Sequence, residues 1–398
     1  MLIGFAGNAN NYPLMLARAL KRQGGEVRFL VTSRLRLDRP ENRYPEYEAG
    51  YPDWVIDCGE IDFLNWLLPR ASTRRALKLL RECDLVVLNQ LSPTLAGRLA
   101  RPWVALLTGS DLATLANPKY IDIAVKETRR APRPLFRFVK RLLLQRLVAA
   151  QRHGIAEAGL VYTPIRGLLP AYDALLDGLG VSDDKREWLG MTEIDRIAVV
   201  PPPNNPTLRI LCGARLNWVR PIPLGMSELD YKGTDVLLEG VAQFAKKCAL
   251  PFELRLVRKG LHVAETEQLV RQLGLEGHVT WLNEMSQRAI QAEFEAADVV
   301  VDQLGNGFVG MVGLDAMATG RPVIANGRPE FYEPLLGEPS PICQATTAAE
   351  VADQLTKLTV MAERVRIGQA SRAYVARHLS TDAAARRLMA RAQRLINR

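Results

Sequence analysis

The chain has 398 residues, 48% of them hydrophobic and 24% charged, which is the balance of a globular protein that buries a full core and suits two α/β domains better than one. Its five cysteines are scattered, with no Cys-x-x-Cys pair, which argues against a disulfide framework or a zinc site. The opening residues lack the basic region of a signal peptide and no apolar run is long enough to cross a bilayer, so we expect a cytoplasmic protein.

Short runs rich in Val, Ile and Leu alternate with helical patterns along the first half of the chain. They are apolar throughout, which is typical of parallel strands covered on both faces. After the first run, a helix begins near Pro13, with Asn10 and Asn11 as candidate N-caps. The predicted strands are Leu2–Phe5, Val27–Val31, Trp54–Cys58, Leu85–Leu88, Val104–Leu107, Leu160–Tyr162 and Ile197–Val200.

A basic segment accounts for nearly all of the net charge of +9, because nine Lys/Arg and a single acid lie between Lys126 and Arg152. Apolar residues at helical spacing predict one face of a helix there (Leu135, Val139, Leu142, Leu143, Leu147 and Ala150). Basic residues gather on another side (Arg133, Arg137, Lys140 and Arg141). Two interpretations stay open: a core-packed helix with a solvated basic face, or a surface that meets anionic lipid headgroups. Nucleic acid is disfavoured because interleaved aromatics are lacking.

The run Pro201–Pro206 is the strongest break in the chain and predicts the interdomain linker. The boundaries that follow are 1–203, 207–378 and a C-terminal helix, 379–398, that crosses back to the first domain. That helix is predicted over Thr381–Ile396 with Ser380 as its cap. In the second half the predicted strands are Leu208–Leu211, Leu254–Val257, Val279–Leu282, Val299–Val301, Val323–Ala325 and Ile342–Cys343. Two such halves are expected to bind a ligand in the cleft between them.

The most informative segment runs from Asp298 to Ile324, as a strand, a glycine-rich turn, a helix and another strand. Glycines let a ligand approach the backbone, and a helix N-terminus attracts anions, so the turn predicts a diphosphate site. A turn in which the glycines only permit tight packing is the alternative. The spacing Gly305-x-Gly307-x-x-Gly310 also imitates a dinucleotide fingerprint, but that motif belongs to the first strand of a domain and this is about the fourth.

The segment Leu314–Ile324 resembles the nucleotide-sugar site of the family 4 retaining glycosyltransferases, whose pattern is Glu, seven residues, then Glu-Ala-Met-Ala-x-Gly-x-Pro-Val-Ile. Asp315 stands at the second Glu, which contacts the donor ribose in that family. Gly307 stands at the first Glu and carries no carboxylate, whereas Asp302-Gln303 is similar to a subset that lacks this Glu. The resemblance implies an α/β GT-B architecture, with two Rossmann-like doubly wound domains facing a central cleft.

Other segments extend the resemblance. Ile210–Leu216 and Tyr231–Glu239 are similar to the family's two diphosphate-binding pieces, which implies that Arg215 and Lys232 hold the donor diphosphate. Thr108–Leu112 resembles a loop near the reactive carbon, with Thr108 in place of the usual His. Its Asp111 is a candidate for polarising the acceptor hydroxyl and equally for a helix N-cap. The remaining implied donor contacts are Gly7, Asn283, Met285, Gly307, Phe308, Val309 and Gly310, and the acceptor or membrane side would include Asn8, Asn10, Arg137, Lys140 and Arg141.

The resemblance thus implies a retaining, metal-independent glycosyltransferase with no cofactor beyond a UDP- or GDP-sugar co-substrate. The acceptor would be a glycan or glycolipid of surface polysaccharide synthesis, reached from the cytoplasmic face of a membrane. Two alternatives remain. A catalytically inactive GT-B partner subunit fits the missing carboxylate at Gly307, and an NAD-dependent enzyme would use Gly305–Gly310.

Overall fold

The computed structural model describes residues 1–62, 70–126, 134–220, 230–305 and 309–397. The chain divides into two compact units, one formed by Met1–Leu189 with Ala384–Arg398 and the other by Gly190–Ala383. Each unit contains a parallel sheet with helices connecting its strands. The α/β fold expected from the alternating pattern is therefore confirmed.

The sheet of the first unit has seven strands in the order β3-β2-β1-β4-β5-β6-β7. All neighbouring strands are parallel, and the buried residues of β1 and β4 are apolar because helices cover both faces. The strands are β1 Leu2–Ala6, β2 Glu26–Val31, β3 Val55–Asp57, β4 Leu85–Leu88, β5 Trp103–Leu106, β6 Leu160–Tyr162 and β7 Arg186–Glu187. The helices are α1 Tyr12–Arg22, α2 Ala71–Arg81, α3 Ser110–Ala113, α4 Lys119–Lys126, α5 Pro134–Ala156 and α6 Pro170–Asp177.

The second unit repeats the plan with six parallel strands in the order β10-β9-β8-β11-β12-β13. The strands are β8 Leu208–Cys212, β9 Phe252–Val257, β10 Val279–Leu282, β11 Val299–Val301, β12 Val323–Ala325 and β13 Cys343–Gln344. The helices are α7 Thr234–Lys247, α8 Val263–Gln272, α9 Gln287–Ala296, α10 Met311–Thr319, α11 Pro329–Leu336, α12 Ala348–Lys357 and α13 Met361–Tyr374, and the last helix of the chain is α14 Thr381–Ile396. Ser380 accepts the Ala383 amide at 3.1 Å and caps α14 as predicted.

One predicted strand, Ile197–Val200, is wrong. These residues are irregular, and the seventh strand of the first sheet is Arg186–Glu187. The reason is tertiary: the carbonyl of Ile197 accepts a hydrogen bond from Arg372, and that of Val200 accepts one from the buried Arg321. Two arginine side chains thus take the carbonyls that a strand ladder would use.

The division between the units lies at residues 189 and 190, ahead of the predicted linker at Pro201–Pro206. Residues after Leu189 belong to the second unit because Thr192 pairs with Ser380 in a parallel bridge and donates its amide to Leu379 at 2.7 Å. The chain returns to the first unit at Ala384, inside α14. A composition break of prolines therefore does not mark the place where the contacts change.

Both sheets reverse their strand order beside their first strand, between β1 and β4 in one unit and between β8 and β11 in the other. Open parallel sheets bind ligands at this point, beyond the carboxyl ends of the strands. In the second unit, the segments that follow β8 and β11 carry Arg215 and the glycine-rich turn. In the first unit, the corresponding segments carry Gly7–Asn11 and Asn89.

Candidate functional site

The two predicted cations of the second unit are connected through one buried residue, Asn217. Its amide donates to the carbonyl of Arg215 at 2.9 Å, and its carbonyl accepts the amide of Lys232 at 2.7 Å. Its side-chain oxygen accepts the amide of Leu261 at 2.8 Å, which fixes it beside the end of β9. The segment after β8 and the segment before α7 therefore meet, although a long insertion separates them in sequence.

Lys232 is half-buried, and its ammonium donates to Oε1 of Gln303 at 2.7 Å. Burial lowers the pKa of this lysine, Asp302 and Asp230 counter that effect, and the nearby Arg215 adds to it. The guanidinium of Arg215 is exposed and makes no ion pair within the described part of the chain. The sequence predicts that Arg215 and Lys232 hold one diphosphate. In the structure, the two side chains lie close enough for the charge of Arg215 to disfavour the charged form of Lys232.

The glycine-rich turn packs directly against the lysine-bearing segment. A Cβ on Gly305 would lie 2.1 Å from the carbonyl oxygen of Tyr231, and one on Gly233, whose φ is +71°, would lie 3.0 Å from Leu304. The amide of Leu304 donates to the carbonyl of Lys232 at 2.9 Å. Glycine is required at both positions because the two backbones approach so closely. The predicted contacts at Gly307 and Phe308 lie outside the described residues.

The amide of Gly310 is not available to a ligand as predicted, because it donates to Oδ2 of Asp302 at 2.6 Å. Asp302 is 5% exposed, and burial raises the pKa of its carboxyl while the amides of Gly310 and Gly313 and the charge of Lys232 oppose that rise. The predicted donor contact at Val309 is a buried side chain packed near Gly313. An internal carboxylate therefore occupies part of the predicted anion site.

Asp315 lies in the second turn of α10 and is 3% exposed. Its Oδ1 accepts the hydroxyl of Thr192, and its Oδ2 accepts the side-chain amide of Gln287 at 2.8 Å. Both oxygens are thus engaged inside the second unit. These two bonds fix the orientation of the carboxylate.

The predicted nucleobase loop follows β10, the edge strand of the second sheet. Asn283 is exposed and Met285 is half-buried. The loop ends at Ser286, whose hydroxyl accepts the Ala289 amide at 3.3 Å and caps α9. The loop is therefore held at both ends, by a strand and by a capped helix, and its side chains are within reach of a ligand.

In the first unit, the loop after β1 is built around Asn8, which is 1% exposed. Its side-chain amide donates to Asn11 Oδ1 and to the carbonyl of Asp38, both at 2.7 Å. Gly7 has φ of +85°, and a Cβ there would lie 2.1 Å from the carbonyl of Asn89. Of the three predicted contact residues in this loop, Asn10 alone has an exposed side chain, whereas Gly7 and Asn8 hold the backbone in place.

Asp111 is fully buried, and it lies inside the first turn of α3, so the N-cap predicted as its alternative role falls on Gly109. Its carboxylate accepts the amides of Thr108 and Gly109 at 2.9 to 3.0 Å and the side-chain amide of Asn89 at 3.1 Å. Burial raises the pKa of this carboxyl, and the amides of Thr108 and Gly109 oppose the rise. These bonds make Asp111 the residue that closes the loop before α3, and they replace the catalytic role predicted for it.

The apolar face predicted for the basic segment lies on α5, and it is exposed in the first turns of that helix. Leu135, Val139 and Leu142 are exposed, whereas Leu147 of the same face packs into the core together with Leu144 and Val148. Phe138 is exposed as well. Four apolar residues at helical spacing therefore form a solvent-exposed stripe on α5: Leu135, Phe138, Val139 and Leu142. Of the four basic residues predicted beside it, Arg133 lies outside the described residues. Arg137 is exposed, Lys140 donates to the carbonyl of Ala124, and Arg141 pairs with Asp122.

Among the residues that the structure describes, no three His, Cys, Asp or Glu side chains gather as a metal site would require. Over the same residues, no helix has the length and apolar content needed to cross a membrane.

Sequence reasoning missed two residues of the site. Gln303 holds the ammonium of Lys232, and Asn217 connects the two cations. The Asp-Gln dipeptide at the end of a buried strand was a signal for the first, since strand ends position side chains at such sites. Asn217 had no signal, because its role depends on a contact across the insertion.

The chain is similar to known proteins both in sequence and in fold. Residues 222–359 match the family model described as glycosyl transferases group 1. A phosphatidyl-myo-inositol mannosyltransferase of Mycobacterium leprae is 25% identical over 88% of this chain and 83% of its own. The crystal structure of Anabaena HepE in complex with UDP and glucose is similar with a TM-score of 0.61 at 17% identity, covering 98% of both chains. Sucrose-phosphate synthase from Thermosynechococcus elongatus gives 0.58 at 15% identity, covering 100% of this chain and 99% of that one.

Proposed function

We propose that this chain, whose fold is that of GT-B glycosyltransferase structures, is a glycosyltransferase and that it retains the configuration of the sugar it transfers from a UDP- or GDP-linked donor. The acceptor is a glycan or glycolipid of surface polysaccharide synthesis. A nucleotide-sugar donor is supported by HepE, a protein of the same fold whose crystal structure holds UDP and glucose. A lipid-linked acceptor is supported by the mannosyltransferase relative, whose name specifies phosphatidyl-myo-inositol.

The observation that carries the proposal is the meeting of Arg215, Lys232 and the glycine-rich turn at the switch point of the second sheet. The diphosphate gains negative charge as the glycosidic bond breaks. Cations that are already held in position, in a site partly shielded from water, stabilise that charge without a large rearrangement of the protein. Lys232 meets this requirement because its stem is packed and its ammonium is held by Gln303. On this basis we propose that the reaction proceeds without a metal ion.

The mechanism assigns no nucleophile to the protein. The departing diphosphate oxygen takes the proton of the acceptor hydroxyl, which attacks from the face that the leaving group vacates, so the configuration is retained. Asp315, at the second turn of α10, binds the ribose hydroxyls, and the loop at Asn283 and Met285 contacts the base. The protein's contributions are orientation of the donor and stabilisation of the leaving charge.

The acceptor side includes a peripheral contact with anionic membrane through α5. Leu135, Phe138, Val139 and Leu142 form an exposed apolar stripe with Arg137 beside it, at one end of the most basic segment of the chain. Apolar side chains enter the headgroup boundary, and each basic residue near an anionic surface contributes about 1 kcal/mol. The double variant Phe138→Ser with Leu142→Ser should lose sedimentation with phosphatidylglycerol vesicles without a change in melting temperature. Wild-type protein that stays in the supernatant would contradict the contact.

The donor is identified by calorimetric titration of the wild-type protein with UDP, GDP and ADP, and with NADH as the dinucleotide control. We expect UDP or GDP to bind and NADH not to bind. Hydrolysis of the matching nucleotide sugar, followed by release of the diphosphate, would then show catalytic competence. The position of the glycine-rich turn, after the fourth strand of its sheet, disfavours the NAD-dependent alternative.

Two observations support a second candidate function, that of a catalytically inactive partner subunit. Gly307 lacks the carboxylate that the family has there, and Asp302 already occupies the amide of Gly310. The same experiment separates the two functions. An inactive subunit would bind UDP and GDP weakly or not at all and would release no diphosphate from any nucleotide sugar.

A further inference from the structure

A buried carboxylate lies in the middle of the candidate diphosphate site and opposes an anionic ligand there. Asp302 follows β11 directly and is 5% exposed. Its Oδ2 accepts the Gly310 amide at 2.6 Å, the position just before α10. Binding a second anion beside this group costs energy, so its presence requires a physical reason.

The glycines of the turn make room for this carboxylate. A Cβ on Gly313 would lie 2.8 Å from Asp302 Oδ2 and 2.5 Å from a methyl of Val309, and one on Gly310 would lie 3.3 Å from Asp302 Oδ2. Gly310 has φ of −83°, an ordinary value for any residue, so conformation alone does not explain the glycine there. The small residues at the start of α10 therefore accommodate an internal anion.

The same carboxylate acts on the lysine of the site. The charged groups that influence Lys232 are Asp302 behind the turn, Asp230 on its own segment and Arg215 after β8, while the neutral Gln303 accepts its ammonium proton. Burial and Arg215 both disfavour a charged ammonium at this place. The two carboxylates offset these effects, and Asp302 also accepts the amide of Gly310.

We propose that Asp302 is a positioning residue for the donor diphosphate, fastening the glycine-rich turn to the start of α10 and keeping the ammonium of Lys232 charged and in place. The inference rests on the proposed function, because it takes Lys232 as a diphosphate ligand. It also assigns the phosphates to the two cations and not to the amide of Gly310. Asp302 does not touch the donor.

The test compares Asp302→Asn with Asp230→Asn. Both remove a charge that favours the ammonium, so in both the pH at which Lys232 loses its proton moves down. The readouts are the pH dependence of UDP or GDP affinity and the pH dependence of Lys232 acetylation, measured by mass spectrometry. Only Asp302→Asn is expected to speed hydrogen exchange at the Gly310 and Gly313 amides.

A folded Asp302→Asn protein with the wild-type pH profiles in both readouts would overturn the inference. If that variant does not fold, Gly313→Ala decides, since its methyl displaces the carboxylate of Asp302 and should produce the same downward shift. Failure of the proposed function is distinguishable. Wild-type protein that binds neither UDP nor GDP refutes that function, whereas the acetylation profile of Lys232 still reports whether Asp302 controls its charge.

Discussion

Replacing Lys232 by Met tests the diphosphate site most directly. Methionine keeps the packed stem of the half-buried side chain and removes only the ammonium. The ammonium has three donors, and Gln303 accepts one of them at 2.7 Å, which orients the group. The variant therefore removes one charge-assisted contact to the ligand.

The size of the effect follows from the kind of bond. A hydrogen bond to a charged group contributes about 1.5–3 kcal/mol net, which corresponds to a loss of roughly 10- to 150-fold in affinity. The upper part of this range is expected because the lysine is partly withdrawn from water, which reduces screening of its charge. Since burial lowers the pKa of Lys232, wild-type affinity should fall with rising pH earlier than an exposed lysine would allow, and Lys232→Met should lose that dependence.

The assay is calorimetric titration with whichever of UDP and GDP binds, repeated with the corresponding nucleoside. Lys232→Met should weaken diphosphate binding and leave nucleoside binding unchanged. Lys246→Met, an exposed lysine in the last turn of α7, is the matched control and should behave as wild type. Diphosphate affinity within twofold of wild type, in a variant that unfolds at the wild-type temperature, would refute the assignment of Lys232.

Two stability predictions follow from the described contacts. Gly7→Ala places a methyl 2.1 Å from the carbonyl of Asn89 at a φ of +85°, so thermal unfolding should show a loss of more than about 1 kcal/mol. Asp315→Ala leaves the buried hydroxyl of Thr192 and the half-buried side-chain amide of Gln287 without their acceptor, and urea unfolding should show a loss of about 1–3 kcal/mol. Wild-type stability in either variant would mean that the corresponding contact is not maintained in solution.

The two α/β halves and nearly every strand could be predicted from the amino-acid sequence alone. Val, Ile and Leu runs such as Leu85–Leu88 and Val299–Val301 predict buried parallel strands. When helices cover both faces of a sheet, the side chains on both faces of each strand are apolar. The sequence also located the glycine-rich turn, since glycine is needed where two backbones meet, as at Gly305 and Gly233. These signals are local, and a single segment carries each of them.

Tertiary structure alone decided which partners the polar groups of the site have. Asp302 takes the Gly310 amide that the sequence assigned to a phosphate, and Asp111 is buried under its own loop. It also decided that Leu135 and Phe138 in α5 stay exposed, although their spacing equally suits a core face. Periodicity shows that a face exists, whereas its burial depends on whether a distant segment folds onto it. Hydrogen-bond partners and burial are long-range properties, and for that reason the sequence pattern could not determine them.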